Sequence, residues 1–177
     1  GLRNRNLASR MGFKFFAHDS EHTLLTAQAD IEIDRTGPFP AGDGEILYSN
    51  PQWVFKQLTS NDEFKLKVAD RVHRYLFNNG LLTPAQNRAR LLKRKAEIDR
   101  AVVGESARWG DAKRSTPFTR ATWESAVNGV LNLYFPVRNG IVLEDLQNDG
   151  LYPTVAAPSF NQHAGNVNPG FSLTMAP

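Results

Sequence analysis

Residues 60–76 read SNDEFKLKVADRVHRYL, and this stretch indicates a helical fold. Its apolar side chains recur at the spacing that places them on one face of a helix, at Phe64, Val68, Val72, Tyr75 and Leu76. Ser60 or Asn61 can cap the first turn, where Asp62 and Glu63 suit the positive end of the helix dipole. Gly80 is expected to end this helix, because glycine is favoured just beyond the C-terminus of a helix. The sequence therefore predicts an amphipathic helix that needs an apolar partner.

A second helix is predicted from Thr83 to about Val103. Pro84 would occupy its first position, where the missing backbone N–H costs nothing, and Gln86 would complete a capping box with Thr83. Gly104 is expected to end this helix.

The third and fourth predicted helices follow Thr119. The apolar face of the third consists of Trp123, Val127, Val130, Leu131 and Tyr134. Pro136 is expected to end this helix and can open the fourth, which stops at Gly150. Because apolar faces of this kind need partners, residues 60–150 are predicted to form a packed helical subdomain.

Short strands and loops are predicted on both sides of this region. Residues 11–18 read MGFKFFAH, so an extended chain there carries an aromatic residue on each side. The tail alternates over residues 171–175, after a loop rich in Asn and Gly. Two short strands cannot build a core, so the tail is either an edge hairpin on the helical body or the start of a truncated β module. The expected fold class is α+β, mainly helical, with a short N-terminal β segment and a β-hairpin-like tail.

Composition narrows the function classes. The chain has 177 residues, 41% of them hydrophobic, and no cysteine, which fits about one globular domain and excludes a disulfide-stapled miniprotein. No apolar run approaches the length of a membrane span, and a net charge of +3 does not demand nucleic acid as a partner. The basic residues between Arg88 and Arg100 alternate with Glu97 and Asp99, as on a solvated helix face. His73 is likewise expected at the surface.

Residues 18–22 read HDSEH and form the densest chemical cluster. If the chain is extended there, Asp19 and Glu21 point to one side, and carboxylates suit Mg²⁺. If it turns into a helix, His18 and His22 share a face and could begin a Zn²⁺ site. A solvated loop that closes the strand is the third alternative, and the residue types leave all three open.

The chain resembles the CotH (spore-coat protein H) kinase-like family over residues 1–150. The resemblance lies in residues 13–24, FKFFAHDSEHTL, and in four later segments: residues 44–48, the helix over 58–77, residues 105–111 and residues 123–138. Residues 151–160 and 170–174 also resemble the opening of the chitobiase C-terminal-like β-sandwich. The implied organisation is a partial kinase-like domain over residues 1–150, with its metal-binding strand and helical subdomain, and a linker and first β-sandwich strands over residues 151–177.

The resemblance implies the back half, or C-lobe, of an atypical protein-kinase-like fold. Asp19 would act as the catalytic Mg²⁺ ligand, in the part of the DFG aspartate of ordinary kinases, with Glu21 assisting the metal. The cofactors would be Mg²⁺ and ATP, and the reaction would phosphorylate Ser or Thr on a surface or secreted protein. The family's phosphate-binding Lys and catalytic-loop residues precede this Asp, and only ten residues precede the Met11 strand. We therefore expect this chain to be inactive alone and to need the upstream half of its kinase domain.

Three further expectations complete this interpretation. Such domains belong to exported bacterial proteins, so the protein is expected outside the cell or at its surface, with any export signal upstream of Gly1. A half-domain exposes apolar surface, which predicts self-association. The alternative function is a non-catalytic cell-surface or carbohydrate-associated interaction module. A hydrolytic Zn²⁺ site at His18 and His22 is the third hypothesis.

Overall fold

Helices account for most of the chain that the computed structural model describes, which comprises residues 2–3, 13–14, 24, 31–34, 36, 51–162 and 165–176. Helix α1 spans Pro51–Leu58, α2 Asp62–Leu76, α3 Pro84–Trp109, α4 Arg120–Gly129 and α5 Phe135–Asn148. A π-helical segment, Val130–Tyr134, joins α4 to α5. Two short antiparallel pairs complete these elements: β1 (Leu2–Arg3) with β2 (Phe13–Lys14), and β3 (Ser159–Phe160) with β4 (Met175–Ala176). The predicted α+β, mainly helical class is confirmed.

The chain divides into two compact units, each built from two separate stretches of sequence. The first unit comprises Gly1–Ile33 and Pro84–Ile141, and the second comprises Asp34–Thr83 and Val142–Pro177. The residues of α5 are therefore shared between the units. The division at residue 150 that the family resemblance implies stays a prediction.

The core of the second unit is formed by α2, the C-terminal part of α5 and the two residues that follow Gly150. Its buried members are Val72, Leu146, Leu151 and Tyr152. Leu151 is only 1% exposed, and its backbone N–H donates to the Leu146 carbonyl at 2.8 Å. Gly150 has a φ of +67°, a left-handed conformation that turns the chain back onto the end of α5.

The core of the first unit lies where α3 meets α4 and the π-helical segment. Its buried members are Val127, Val130, Leu131 and Phe135, against which Leu91, Trp123 and Tyr134 pack. Arg120 at the start of α4 holds Asp99 of α3 with Nε at 3.0 Å and an Nη atom at 2.8 Å. This hydrogen bond and the charges of Asp99 and Glu124 raise the pKa of the Arg120 guanidinium above its ordinary value.

The capping residues in the sequence predicted the starts of two helices correctly. The Asn61 side chain accepts a hydrogen bond from the Phe64 N–H at 3.0 Å, so the predicted cap of α2 is confirmed. Thr119 caps α4 through a reciprocal box with Thr122. In both cases the capping oxygen satisfies an N–H that the first helical turn leaves without a backbone partner.

The predicted end of the second helix at Gly104 is wrong, because α3 runs on to Trp109. A glycine costs a helix only about 1 kcal/mol, and the residues after Gly104 include good helix formers. The predicted fourth helix is confirmed, because α5 begins at Phe135, one residue before Pro136, and ends at Asn148, but no break separates it from the preceding π-helical segment. The Phe135 N–H donates to the Val130 carbonyl, five residues earlier, and so forms a π turn that is wider than an α-helical turn. This wider turn accommodates the Pro136 ring, which would clash with the preceding turn of a regular α-helix.

Helix α1 was not predicted, although Pro51 stands at its first position, where proline is favoured. In the tail, the predicted strand over residues 171–175 is reduced to the pair Met175–Ala176. No helix within the described residues combines the length and apolar character needed to cross a bilayer.

Candidate functional site

The predicted metal ligands Asp19 and Glu21 lie outside the described residues, as do His18 and His22. The three alternatives for this cluster therefore stay open. Across residues 51–162 and the other described positions, no three His, Asp or Glu side chains come together as a metal site.

A wide groove of about 1160 Å³ opens on the second unit. One wall is the face of α2 that carries Asp70, His73 and Arg74, continued by Phe77 beyond the end of the helix. The other wall comes from residues 152–162, including Tyr152 and the strand β3. We call this feature the α2 groove.

The turn after α2 shapes one end of this groove. Asn78 has a φ of +56°, in the left-handed region that asparagine tolerates better than most residues. Gly80 then passes so close to α2 that a Cβ atom there would lie 2.5 Å from the carbonyl oxygens of Arg74 and Tyr75. The Leu82 N–H donates to the Tyr75 carbonyl at 2.8 Å. These constraints hold Asn78 and Asn79 at the rim of the groove.

Three rings are packed at the base of the α2 groove. His73 stacks on Phe77 with ring centroids 5.0 Å apart, and Phe77 stacks on Tyr152 at 5.6 Å. The Nδ1 atom of His73 and the phenolic oxygen of Tyr152 are 3.0 Å apart, within hydrogen-bond distance. Burial raises the pKa of the Tyr152 hydroxyl above its ordinary value.

The structure thus corrects the prediction that His73 lies on the surface. It is half-buried, because Tyr152 and Phe77 cover its ring. Sequence reasoning judged His73 by the charged neighbours on its own helix. The residue that decides its environment lies 79 positions away along the chain.

The polar side chains around the α2 groove are nearly balanced in charge. Asp70 and Arg74 contribute one negative and one positive charge, four positions apart on α2. The remaining hydrogen-bonding side chains include the amides of Asn78, Asn79 and Gln162, which both donate and accept. This set of groups suits a polar ligand without a strong net charge.

A second cleft, of about 480 Å³, lies on the first unit beside α3. It is lined by Arg90, Lys93 and Arg94 around an apolar floor of Leu91 and Phe135. All three basic residues are exposed, as predicted for a solvated helix face. Arg94 pairs with Glu97 at 2.9 Å and Arg90 donates to the Asn87 side chain at 2.5 Å, so part of this positive charge is already engaged.

A third groove, of about 340 Å³, lies between the end of α3 and the start of α4 and is largely apolar. Trp109 and Phe118 line it and are 54% and 50% exposed. The guanidinium of Arg108 lies 5.0 Å from the centre of the Trp109 ring, and that of Arg114 lies 4.1 Å from the Phe118 ring. Trp109 and Phe118 thus form an accessible aromatic surface on the first unit, with a guanidinium beside each ring.

Comparisons with protein-family models, with curated proteins and with solved structures find no match to this chain.

Proposed function

We propose that this chain is the metal-binding strand and helical lobe of a CotH-like protein kinase. The complete domain would transfer a phosphoryl group from ATP, with Mg²⁺, to a Ser or Thr hydroxyl of a surface or secreted protein. Asp19 would bind the metal and Glu21 would support it. The kinase-like C-lobe is part of this proposal.

The proposal is carried by the position of the resembling segments within the helices. Residues 105–111 include the last turn of α3, and residues 123–138 run from α4 through the π-helical segment into α5. Trp123, Tyr134 and Phe135 from these segments pack in or against the core of the first unit. These segments thus contribute to a helical core, which supports the proposal because the proposed C-lobe would be mainly helical.

The side-chain chemistry of Asp19 and Glu21 also supports a Mg²⁺ site. Mg²⁺ prefers carboxylate oxygens as ligands and keeps several coordination positions for water or substrate phosphates. Two neighbouring carboxylates can therefore provide all the ligands that the protein must supply. Bound Mg²⁺ and ATP would supply the transferable phosphoryl group and neutralise its charge. The contribution of this chain is to position the carboxylates and to present a helical lobe.

The test is a substitution at Asp19 within the longer kinase domain that the proposal requires. Asp19→Asn keeps the side-chain volume but removes the charge, and we expect autophosphorylation to fall at least about 100-fold. Asp62→Asn is the matched control, because Asp62 at the start of α2 is 96% exposed. This control should leave transfer unchanged. Undiminished transfer by the Asp19 variant would remove this residue from the mechanism.

The 177-residue chain alone provides a second measurement. We expect no phosphoryl transfer from it, since the phosphate-binding and catalytic-loop groups that the resemblance implies lie upstream. Transfer by the isolated chain that survives Asp19→Asn would contradict both the division of the domain and the role of Asp19.

A further inference from the structure

We propose that Asn79 is a site of spontaneous deamidation and that its isoaspartyl product loosens the turn after α2. The reaction needs only Asn79, Gly80 and water, so it does not depend on phosphoryl transfer. It is favoured at this position because the same dipeptide occurs elsewhere in the chain only inside helices.

An asparagine that is followed by glycine can close a ring on its own backbone. The Gly80 amide nitrogen, after it gives up its proton to water or hydroxide, attacks the side-chain carbonyl carbon of Asn79 and forms a new C–N bond. The bond from that carbon to the side-chain nitrogen breaks, and this nitrogen leaves as ammonia. Water then opens the resulting succinimide at either carbonyl, which gives aspartate or isoaspartate. Glycine favours the first step because no side chain hinders the approach to its nitrogen.

The sequence contains this dipeptide in three places, at residues 79–80, 128–129 and 139–140. Asn79 lies in the turn after α2, whereas Asn128 lies in α4 and Asn139 lies in α5. A helix fixes the backbone dihedrals and engages its N–H groups, so the ring cannot close until the helix opens. Asn79 and Asn128 are both exposed, so the backbone and not the accessibility of the side chain distinguishes these two sites.

Opening the chain at Asn128 would disrupt the core of the first unit. Val127 and Val130, which flank residues 128–129, are buried in that core. The Gly80 N–H instead donates to the Phe77 carbonyl at 2.8 Å, within an exposed turn beyond the end of α2. Local opening costs least in turns and at helix ends and most in core helices. We therefore expect Asn79 to react before the two helical sites.

The isoaspartyl product would strain the turn. It carries the main chain through the side-chain carbon and so lengthens the backbone by one carbon atom just before Gly80. Space is short at this point, since a Cβ atom on Gly80 would lie 2.5 Å from the carbonyl oxygens of Arg74 and Tyr75. The Gly80 carbonyl also accepts a hydrogen bond from the Thr83 hydroxyl at 2.8 Å. A displaced Gly80 would therefore loosen both the end of α2 and the start of the next helix.

The test is to incubate the 177-residue chain at mildly alkaline pH in heavy-oxygen water and to map its peptides by mass spectrometry. Hydrolysis of the succinimide takes its oxygen from the water, so each site that reacts acquires the label. We expect Asn79 to react at least about tenfold faster than Asn128 or Asn139 in the folded chain. In concentrated urea the three sites should react at similar rates. Equal rates at Asn79 and Asn128 in the folded chain would overturn the proposal, as would the same difference in urea.

Asn79→Gln is the matched control for the effect on stability, because glutamine would have to close a larger and less favourable ring. After full conversion, the wild type should unfold at a lower urea concentration than Asn79→Gln, and isoaspartyl methyltransferase should methylate residue 79. Equal unfolding midpoints would overturn the loosening of the turn. Freshly prepared Asn79→Asp has the new charge without the longer backbone, and its midpoint should match that of fresh wild type. A loss equal to that of the converted protein would assign the effect to charge and overturn the role of the backbone.

Discussion

The Nδ1 atom of His73 lies 3.0 Å from the phenolic oxygen of Tyr152, and this contact joins α2 to the segment that follows α5. Phe77 stacks on both rings, so the three aromatic side chains form one packed cluster. Tyr152 is only 8% exposed and belongs to the same core as Val72 and Leu146. The pair therefore contributes both to the stability of the second unit and to the base of the α2 groove.

Removing the Tyr152 hydroxyl should destabilise the protein at neutral pH. Tyr152→Phe keeps the ring and its stacking but leaves His73 without this partner, and we expect a loss of about 0.5–1.5 kcal/mol in the free energy of unfolding. Urea titration followed by far-UV circular dichroism at pH 8 measures this difference. Unchanged stability would show that the hydrogen bond makes no net contribution.

The same variant should alter the dependence of stability on alkaline pH. Burial raises the pKa of Tyr152 in the folded state, so above about pH 10 the unfolded chain releases this proton while the folded chain retains it. The raised pKa of Tyr152 therefore contributes to the free energy of unfolding in full below the pKa that this residue has in the unfolded chain. This contribution is lost as the pH rises through its pKa in the folded protein. The stability difference between wild type and Tyr152→Phe should therefore shrink from pH 8 to pH 11. A stability difference that stays constant from pH 8 to pH 11 would contradict the raised pKa of Tyr152.

Two glycine-to-alanine changes should have opposite effects. At Gly80 the new Cβ would lie 2.5 Å from two carbonyl oxygens of α2, and we expect a loss of about 1–3 kcal/mol. At Gly104, inside α3, nothing lies within 4 Å of the added atom, so Gly104→Ala should stabilise by about 0.5–1 kcal/mol. Chemical denaturation of both variants measures the difference. Equal effects would mean that the close approach at Gly80 relaxes at little cost.

Apolar surface on the first unit should cause self-association. Trp109 and Phe118 line the groove between α3 and α4, and both are about half exposed. We expect the sedimentation coefficient to rise with protein concentration and Phe118→Ser to weaken this dependence. Leu173→Ser is the control, because Leu173 is 60% exposed but lies in the tail. A monomer at every concentration would remove the groove as an association surface.

The sequence predicted those parts of the fold that depend on neighbouring residues. The caps at Asn61 and Thr119 each use a side chain three positions from the N–H it accepts, so the local pattern contains all the necessary information. The stop at Gly150 is local in the same way. Helix faces were also found, because their periodicity reflects burial against any partner.

The sequence did not predict features that depend on distant contacts. The helical chain reaches Pro136 through a π turn, and Leu131 and Phe135, in and just after this turn, are buried in the core of the first unit. The α2 groove requires His73 and Tyr152 to meet across 79 residues, and no periodic pattern encodes that meeting. Of the predicted functional residues, Asp19 and Glu21 stay predictions of the sequence alone.

The interleaved arrangement of the two units has a consequence during synthesis on the ribosome. Helix α2 emerges early, but Leu146, Leu151 and Tyr152, which cover its apolar face, are translated about 70 to 80 residues later. At a translation rate of about 5–20 residues per second, the apolar face of α2 stays exposed for several seconds before these residues are synthesised. During that interval, chaperones that bind exposed apolar segments of nascent chains could bind this helix.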